Sequence, residues 1–274
     1  MTADAQLKPL KATVNCDMGE GYGLYSMGDD EGLMKTIHLA NIACGFHASD
    51  FNIMAQTVHL AEENNVRIGA HPSLPDRQGF GRREMAMEPE ELKNCFTYQV
   101  GALLGFMLPR RLELNHIKPH GAVYGQIARS LPLAQAAVEV CKAFSTPEHK
   151  IAFMGLAGTA HQYAAQDAGV PFIAEWFADL DYNEQGKLLI TKKHATVPLD
   201  EVKKRVHTLL KEHKVTTNTG TLLPIGEGVE EVSICCHSDT PDAVKIAECV
   251  KQIVDENNRN EAYSEHIQAA LHAK

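Results

Sequence analysis

The stretch NHIKPHGAVY, residues 115–124, places Lys118 and His120 where a short apolar run ends and a glycine follows. Both side chains disfavour burial, so an ordinary core strand would carry apolar residues there. Pro119 indicates that the strand ends at this point, because proline cannot donate a hydrogen bond to a strand ladder. The stretch therefore predicts a strand whose carboxyl end presents polar groups.

Six other short apolar runs alternate with segments of helical period, which is typical of α/β architecture. The seven predicted strands cover residues 12–15, 39–43, 67–70, 114–118, 151–155, 172–175 and 232–236. Loops are predicted over residues 72–83 and 182–198, which are rich in polar or turn-forming residues. Since no change in composition marks a boundary, residues 1–274 are predicted to form a single domain.

Several helix starts are visible between the strands. Asp50 is a predicted N-cap, and Pro89 and Pro132 stand where a first helical turn tolerates proline. A helix around Val202–Leu210 has one apolar face, and a last helix is predicted to open at Thr240. These helices would cover the strands on their outer side.

Polar residues follow nearly every predicted strand, and this decides between a barrel and an open sheet. In a closed barrel the carboxyl ends of all strands ring one mouth, so polar groups from distant positions converge there. We therefore predict a seven-stranded β/α barrel, a distorted relative of the TIM barrel. The polar residues in question are Asn15, Asp17, Glu20, Asn41, His47, His71, Lys118, His120, Glu175, Asp179, His237 and Asp239.

Composition excludes several classes of function. The net charge of -9 argues against a nucleic-acid partner, because phosphate binding needs a basic surface. No apolar run approaches the roughly 20 residues of a membrane span, and the N-terminal residues lack a signal peptide. The seven cysteines include no CxxC pair, so neither a disulfide framework nor a cysteine zinc site is indicated. We expect a cytoplasmic protein with a small-molecule or protein partner.

Asp17, His47 and His71 are candidate ligands of a divalent metal. Three protein ligands with an open position is the arrangement of a catalytic zinc site. Asn15 and Asp17 are two apart and so leave the first strand on the same face. The alternatives stay open: VNCDMGEGYG also suits a turn, its glycines do not form a phosphate loop, and isolated histidines are often structural.

Lys118 and His120 are candidates for substrate chemistry. A lysine at a pocket mouth suits an anionic group such as a carboxylate or phosphate, and a histidine can move a proton near neutral pH. A solvated lysine beside a turn histidine is the plain alternative. Cys236 next to His237 is discounted as a nucleophile pair, because strand neighbours point to opposite faces.

The motifs NCDMGEGYG, MGDDEGLM, ANIACGFHASD, IGAHPSLPDRQGFGRR, KPHGAVY and CCHSDTP together resemble the LamB/YcsF family over residues 12–254. The resemblance implies a seven-stranded barrel similar to polysaccharide deacetylases. It also implies the A subunit of an ATP-hydrolysing 5-oxoprolinase, which opens the lactam ring of 5-oxoproline to glutamate together with separate B and C subunits. The sequence departs from the family at Leu180, where the family usually has arginine, so an anion contact made by that arginine would be missing.

A lactam amide is a poor electrophile, and phosphorylation by ATP would activate it. No ATP-binding motif is visible, so a partner subunit is expected to bind ATP. Asp17, His47 or His71 is then the candidate general base, Lys118 the anion anchor and His120 the proton donor. The candidate substrate-binding residues are Asn15, Glu20, Asn41, Glu175, Asp179, His237 and Asp239. Metal-dependent deacetylation and non-catalytic lactam binding are alternatives, and self-association is left open.

Overall fold

The structure is a computed structural model that describes residues 10–189, 197–226, 228–229, 231–238 and 241–260. These residues include eleven strands: β1 (Lys11–Met18), β2 (Leu39–Ala43), β3 (Arg67–His71), β4 (Leu114–Ile117), β5 (Ala152–Gly155), β6 (Phe172–Phe177), β7 (Asp181–Tyr182), β8 (Leu188–Leu189), β9 (Lys214–Thr216), β10 (Leu222–Pro224) and β11 (Glu231–Cys235).

In the same part of the chain, eight α-helices lie between or after these strands. They are α1 (Asp30–Met34), α2 (Phe51–Glu63), α3 (Pro89–Met107), α4 (Ala122–Ala128), α5 (Leu131–Phe144), α6 (Ala160–Asp167), α7 (Leu199–Glu212) and α8 (Ala243–Asn260), and a short 3₁₀ turn (Leu108–Arg110) follows α3. Within the described ranges, no helix combines the length and the apolar character that crossing a bilayer requires.

Seven parallel strands close into a barrel in the order β1-β11-β6-β5-β4-β3-β2. These are the seven strands predicted from the sequence, so the barrel prediction is confirmed. Register pairs such as Asp17 with Asn41 and Glu175 with Ser233 bring residues from distant parts of the chain side by side. The single domain over residues 1–274 stays a prediction, as does the likeness to polysaccharide deacetylases.

The barrel interior changes from apolar to polar along its axis. A small apolar cluster of Leu39, Ala152, Met154 and Ile173 fills the amino-terminal half, while the larger core lies outside, between strands and helices. Alternate residues of a strand point to opposite faces. Asn41 lies two residues after Leu39, and Glu175 lies two residues after Ile173, so both side chains also point into the barrel. Both residues are polar, and each is 0% exposed.

The predicted helix starts are confirmed for the main helices. The Asp50 carboxylate accepts hydrogen bonds from the backbone N–H groups of Asn52 and Ile53, and Pro89 is the first residue of α3. The last helix is described from Ala243 on, and Thr240, where it was predicted to open, lies outside the described residues.

The sequence pattern missed several short elements. Helices α1, α4 and α6 have no more than eight residues and offer too few periods to detect. The predicted loop over residues 182–198 is partly wrong, because Tyr182 and Leu188 pair in a two-stranded hairpin. Residues 190–196 lie outside the described part of the chain.

Candidate active site at the barrel mouth

Lys118 lies at the centre of the mouth and contacts two carboxylates. Its Nζ is 2.7 Å from Asp17 Oδ1 and 2.7 Å from Glu175 Oε1. Lys118 is buried, and the buried Tyr124 hydroxyl also interacts with the Glu175 carboxylate. Burial alone would lower the pKa of Lys118, but Asp17 and Glu175 hold it well above the usual range. Lys118 therefore carries a charge that balances two buried carboxylates.

A hydrogen-bond network below Lys118 holds Asp17 in place. Asn41 Nδ2 donates to Asp17 Oδ1 and to Asn15 Oδ1, each at 2.8 Å, and Asn15 Nδ2 donates to Ser233 Oγ at 2.9 Å. The side-chain oxygen of Asn41, Oδ1, lies 2.7 Å from His116 Nε2. These supporting side chains are fully buried, so Asn15 and Asn41 act on Asp17 from beneath.

His116 was not among the predicted site residues. The signal was the alternation along β4, since His116 precedes Lys118 by two and shares its face. Burial lowers the pKa of His116 to about 3, so the ring is neutral. It fits inside the barrel because Gly69, its neighbour on β3, has no side chain: a Cβ there would lie 2.1 Å from His116 Nε2.

Asp17 also contacts His71, with 3.1 Å between Asp17 Oδ2 and His71 Nε2. Burial would raise the pKa of Asp17, but His71 and Lys118 hold it well below its usual range. The Asp17 side chain is 14% exposed, more than the carboxylates of Glu20 and Glu175. Asp17 is thus an ionised carboxylate that reaches toward solvent.

Next to Asp17, His71 belongs to a cluster of four side chains. Glu20, His47, His71 and His120 are all buried, and each offers one metal-ligand atom within 4.8 Å of the others. The predicted set of Asp17, His47 and His71 stays a prediction, but this tighter group contains Glu20 and His120 and leaves Asp17 to one side. Its donor set, three imidazoles and one carboxylate, is typical of a transition-metal site.

The histidine rings of this group are held by stacking and by hydrogen bonds. His47 and His120 stack with 3.6 Å between ring centroids, and His47 Nε2 lies 3.0 Å from Glu20 Oε1. Burial and the nearby His120 lower the pKa of His47 to about 3. For Glu20, burial would raise the pKa, but the contacts of its carboxylate with His120 and His47 hold it below its usual range. The ring of His47 is therefore neutral and that carboxylate ionised.

Two glycines make this packing possible. Gly19 has a φ of +69°, which turns the chain after β1 so that Glu20 lies over His47. Gly81, in the predicted loop after β3, has a φ of +65°, and a Cβ there would lie 2.9 Å from His47 Cβ and 2.8 Å from His120 Cδ2. The loop that carries Gly81 thus seals the histidine cluster on one side.

A second acid–base pair, Asp179 and His237, lies on the opposite part of the mouth. Asp179 Oδ1 is 2.8 Å from His237 Nδ1, and Asp179 Oδ2 accepts a hydrogen bond from the His237 backbone N–H. Burial would lower the pKa of His237, but Asp179 raises it to about 9. His237 is therefore an imidazolium at neutral pH, and its side chain is 13% exposed.

This pair should make the stability of the protein depend on pH. Because the pKa of His237 rises from 6.5 to about 9 on folding, its contribution is fully present below pH 6.5 and is lost as the pH rises through 9. Within the described part of the chain, Asp17 and Lys118 also act on the charge of the ring, besides Asp179. In urea unfolding, the stability gap between wild type and His237→Gln should shrink by roughly 3 kcal/mol between pH 6 and pH 10.

A matched control is His161→Gln. His161 is also buried, but burial lowers its pKa to about 3, so its charge in the folded state does not change in this window. Only the unfolded imidazole titrates, at the low end, so the gap from the wild type should grow by less than about 1 kcal/mol between pH 6 and pH 10. A gap for His237→Gln that does not shrink over the same window would contradict the assignment of an imidazolium at this position.

The remaining candidates have structural positions or lie outside the description. Cys236 belongs to the outer core, whereas Cys235 faces Lys118, with 3.4 Å between Sγ and Nζ. Burial holds the pKa of Cys235 well above its usual range, so it is a neutral thiol. The position of Cys236 in the outer core agrees with discounting it as a partner of His237.

The predicted substrate-binding residue Asp239 lies outside the described residues.

Leu180, the departure from the family motif, directly follows Asp179 in the chain. It is buried and lines a small cleft with Trp176 and Val206, beside α7. Arg205 from α7 donates to the Leu180 carbonyl oxygen at 3.1 Å and to Asp181 Oδ1 at 2.7 Å. The substitution therefore leaves the pairings of the mouth as described.

The fold and the site together define a β/α-barrel protein with a buried acid–base centre at the carboxyl ends of its strands. The chain belongs to the LamB/YcsF family, whose family model matches residues 12–269. The resemblance noted from the sequence motifs is thereby confirmed.

Three relatives illustrate the similarity. The lactam utilization protein lamB of Emericella nidulans is 44% identical over 249 residues, which cover 91% of this chain and 96% of that protein. The A subunit of the 5-oxoprolinase of Clostridium beijerinckii is 40% identical, with 90% and 95% covered. The crystal structure of a lactam utilization protein from Thermus thermophilus superimposes with a TM-score of 0.80 at 33% identity, with 90% and 97% covered.

Proposed function

We propose that this chain is the subunit of a 5-oxoprolinase that opens the lactam ring of 5-oxoproline to give glutamate, coupled to ATP hydrolysis. The names of its relatives support the substrate and the division into subunits. The observation that carries the proposal is the Asp17 carboxylate, held between Lys118 and His71 at the barrel mouth. It is an ionised group placed to receive a proton from water.

The lowered pKa of Asp17 agrees with a reaction in which ATP activates the substrate. A carboxylate with a lowered pKa is a weak base, and a lactam amide is a poor electrophile, so the two would react slowly. Phosphorylation of the lactam oxygen makes the ring carbon electrophilic enough for water that a weak base orients. Breaking the C–N bond of the adduct, with a proton added to the nitrogen, leaves γ-glutamyl phosphate, and a second water then releases glutamate and inorganic phosphate. Since the sequence has no ATP-binding motif, we assign ATP binding to the partner B and C subunits.

His237 is the proposed proton donor to the leaving ring nitrogen. With a pKa of about 9 it is protonated at neutral pH, and Asp179 holds its ring by Nδ1. His120, the donor predicted from the sequence, has one nitrogen 2.8 Å from the Phe80 carbonyl oxygen and the other 3.0 Å from His71 Nε2. The His237 side chain is 13% exposed and that of His120 is 4% exposed, so His237 is the more accessible of the two, which favours it for this role.

Lys118 has a positioning role in this scheme. Its ammonium group already contacts Asp17 and Glu175, so binding a substrate anion would compete with two carboxylates. We therefore assign it the orientation of Asp17, in place of the anion anchor predicted from the sequence. Asn15, Asn41 and Glu175 support it from beneath. Substrate would approach between Asp17 and His237, which are 14% and 13% exposed.

A second candidate function is metal-dependent deacetylation, favoured by the cluster of Glu20, His47, His71 and His120. A metal in that position would activate water without ATP. The two functions differ in what they require. Release of acetate from an N-acetylated substrate, without ATP or partners and abolished by a chelator, would support the second candidate.

The test of the first candidate is reconstitution with purified partner subunits. Glutamate should form from 5-oxoproline only when this chain, the partners and ATP are all present, with one ATP hydrolysed for each ring opened. Binding of 5-oxoproline without turnover in the complete mixture would contradict the proposal and favour a non-catalytic lactam-binding protein.

A further inference from the structure

In the cluster of Glu20, His47, His71 and His120, the atoms that face one another include more hydrogen-bond acceptors than N–H donors. The His71 Nδ1 lies 2.7 Å from the Lys118 carbonyl oxygen, and His120 Nε2 lies 2.8 Å from the Phe80 carbonyl oxygen. A carbonyl oxygen can only accept a hydrogen bond, so each ring carries its proton on that nitrogen. In neutral rings the other two nitrogens present lone pairs.

These two lone-pair nitrogens face each other. His71 Nε2 and His120 Nδ1 are 3.0 Å apart, a distance at which two lone pairs repel unless a proton or a cation lies between them. Carboxylates add negative charge on both sides: Asp17 Oδ2 is 3.1 Å from His71 Nε2, and Glu20 Oε1 is 3.3 Å from His120 Nδ1. The arrangement calls for positive charge at its centre.

His47 gives a second, independent indication. It is 1% exposed, its Nε2 lies 3.0 Å from Glu20 Oε1, and its Nδ1 has no hydrogen-bond partner within the described ranges. A buried imidazole normally has partners at its polar atoms. No backbone carbonyl in these ranges fixes its tautomer, so Nε2 can present a third lone pair beside Glu20.

We propose that Glu20, His47, His71 and His120 bind one divalent metal ion such as Zn²⁺. Metal–ligand distances of about 2.1 Å place tetrahedral ligand atoms roughly 3.4 Å apart. Three neighbouring pairs of ligand atoms are 3.0 to 3.3 Å apart and all four atoms lie within 4.8 Å of one another, so binding requires small side-chain shifts that bring the separations to a common value. Imidazole ligands select zinc, iron or nickel over magnesium and calcium, which prefer oxygen.

The surroundings of the cluster match those of metal-binding histidines. Such histidines usually donate their second ring N–H to a carbonyl or carboxylate, which fixes the tautomer and the ring orientation. The carbonyl oxygens of Lys118 and Phe80 play this part for His71 and His120. The proposal concerns binding and holds whether or not the chain acts on 5-oxoproline.

The test is titration of the chelator-treated full chain with Zn²⁺ in a calorimeter, and with Co²⁺ followed by visible absorption. We expect one equivalent to bind, and Co²⁺ to give the intense absorption of a four-coordinate nitrogen and oxygen site. Glu20→Gln and His120→Asn should each weaken binding more than about tenfold. His161→Gln, which removes a buried histidine outside the cluster, should bind as the wild type does.

Two results would overturn the proposal. One is the absence of binding by correctly folded wild-type chain, which would mean that extra protons on His71 and His120 supply the positive charge. The other is unchanged affinity in both variants. If the variants fail to fold, the wild-type titration decides alone, together with the rise in melting temperature that one equivalent of bound Zn²⁺ should produce.

Discussion

Lys118→Met should destabilise the protein by roughly 3–5 kcal/mol and remove its activity, because the change leaves the buried carboxylate of Glu175 without a counter-charge. Lys118 Nζ is 2.7 Å from Glu175 Oε1, whereas Tyr124, which also interacts with this carboxylate, offers a neutral hydroxyl. Methionine nearly fills the same volume, so the loss reports charge and not a cavity. Urea unfolding at pH 7 measures the change.

Two further variants make this measurement specific. Lys118→Met combined with Glu175→Gln should recover a large part of the lost stability, since the fully buried carboxylate is then neutral and Asp17 keeps its contact with His71, but should not recover activity. Lys11→Met removes an exposed ion pair with Glu231 and should cost at most about 1 kcal/mol. A cost for Lys118→Met as small as that of Lys11→Met would show that its ion pairs do not support the barrel.

Asp17→Asn should lower the turnover number of the reconstituted enzyme by about 10²–10⁴-fold, because an amide cannot accept the proton of the attacking water. Asparagine has the same shape and can still accept a hydrogen bond from Lys118, so the KM for 5-oxoproline and the fold should change little. The measurement is glutamate formation by this chain with partner subunits and ATP at saturating substrate.

The matched control is Asp255→Asn, which removes a carboxylate on the outer helix α8, where it contacts His38 and Lys251. Its turnover number should equal that of the wild type. If Asp17→Asn retains full turnover, Asp17 is not the base, and His71 becomes the next candidate, as the sequence left open.

The sequence predicted the barrel because a repeated signal, a polar residue at the end of each apolar run, is a property of the whole architecture. The same signal identified Asp17, Lys118 and Glu175 as candidate site residues. Alternation along a strand is a local rule, and it held for Asn15 and Asp17, which both belong to the network around Lys118.

Pairings that depend on loops could not be predicted in the same way. Glu20 lies over His47 because the backbone turns at Gly19, and His120 stacks on His47 because Gly81 leaves room for both rings. These are positive-φ turns whose direction no periodicity encodes. For this reason the sequence offered Asp17 as the partner of His47 and His71, while the tight cluster contains Glu20 and His120.

The most direct test of the proposed active site is a crystal structure of the Asp17→Asn variant, in complex with its partner subunits and soaked with 5-oxoproline. We predict that the lactam ring lies at the barrel mouth, with its carbonyl carbon facing residue 17 and its ring nitrogen within hydrogen-bond distance of His237. A lactam bound instead in the cleft of about 380 Å³ lined by Tyr25, Asp30 and Gln56 would contradict this account.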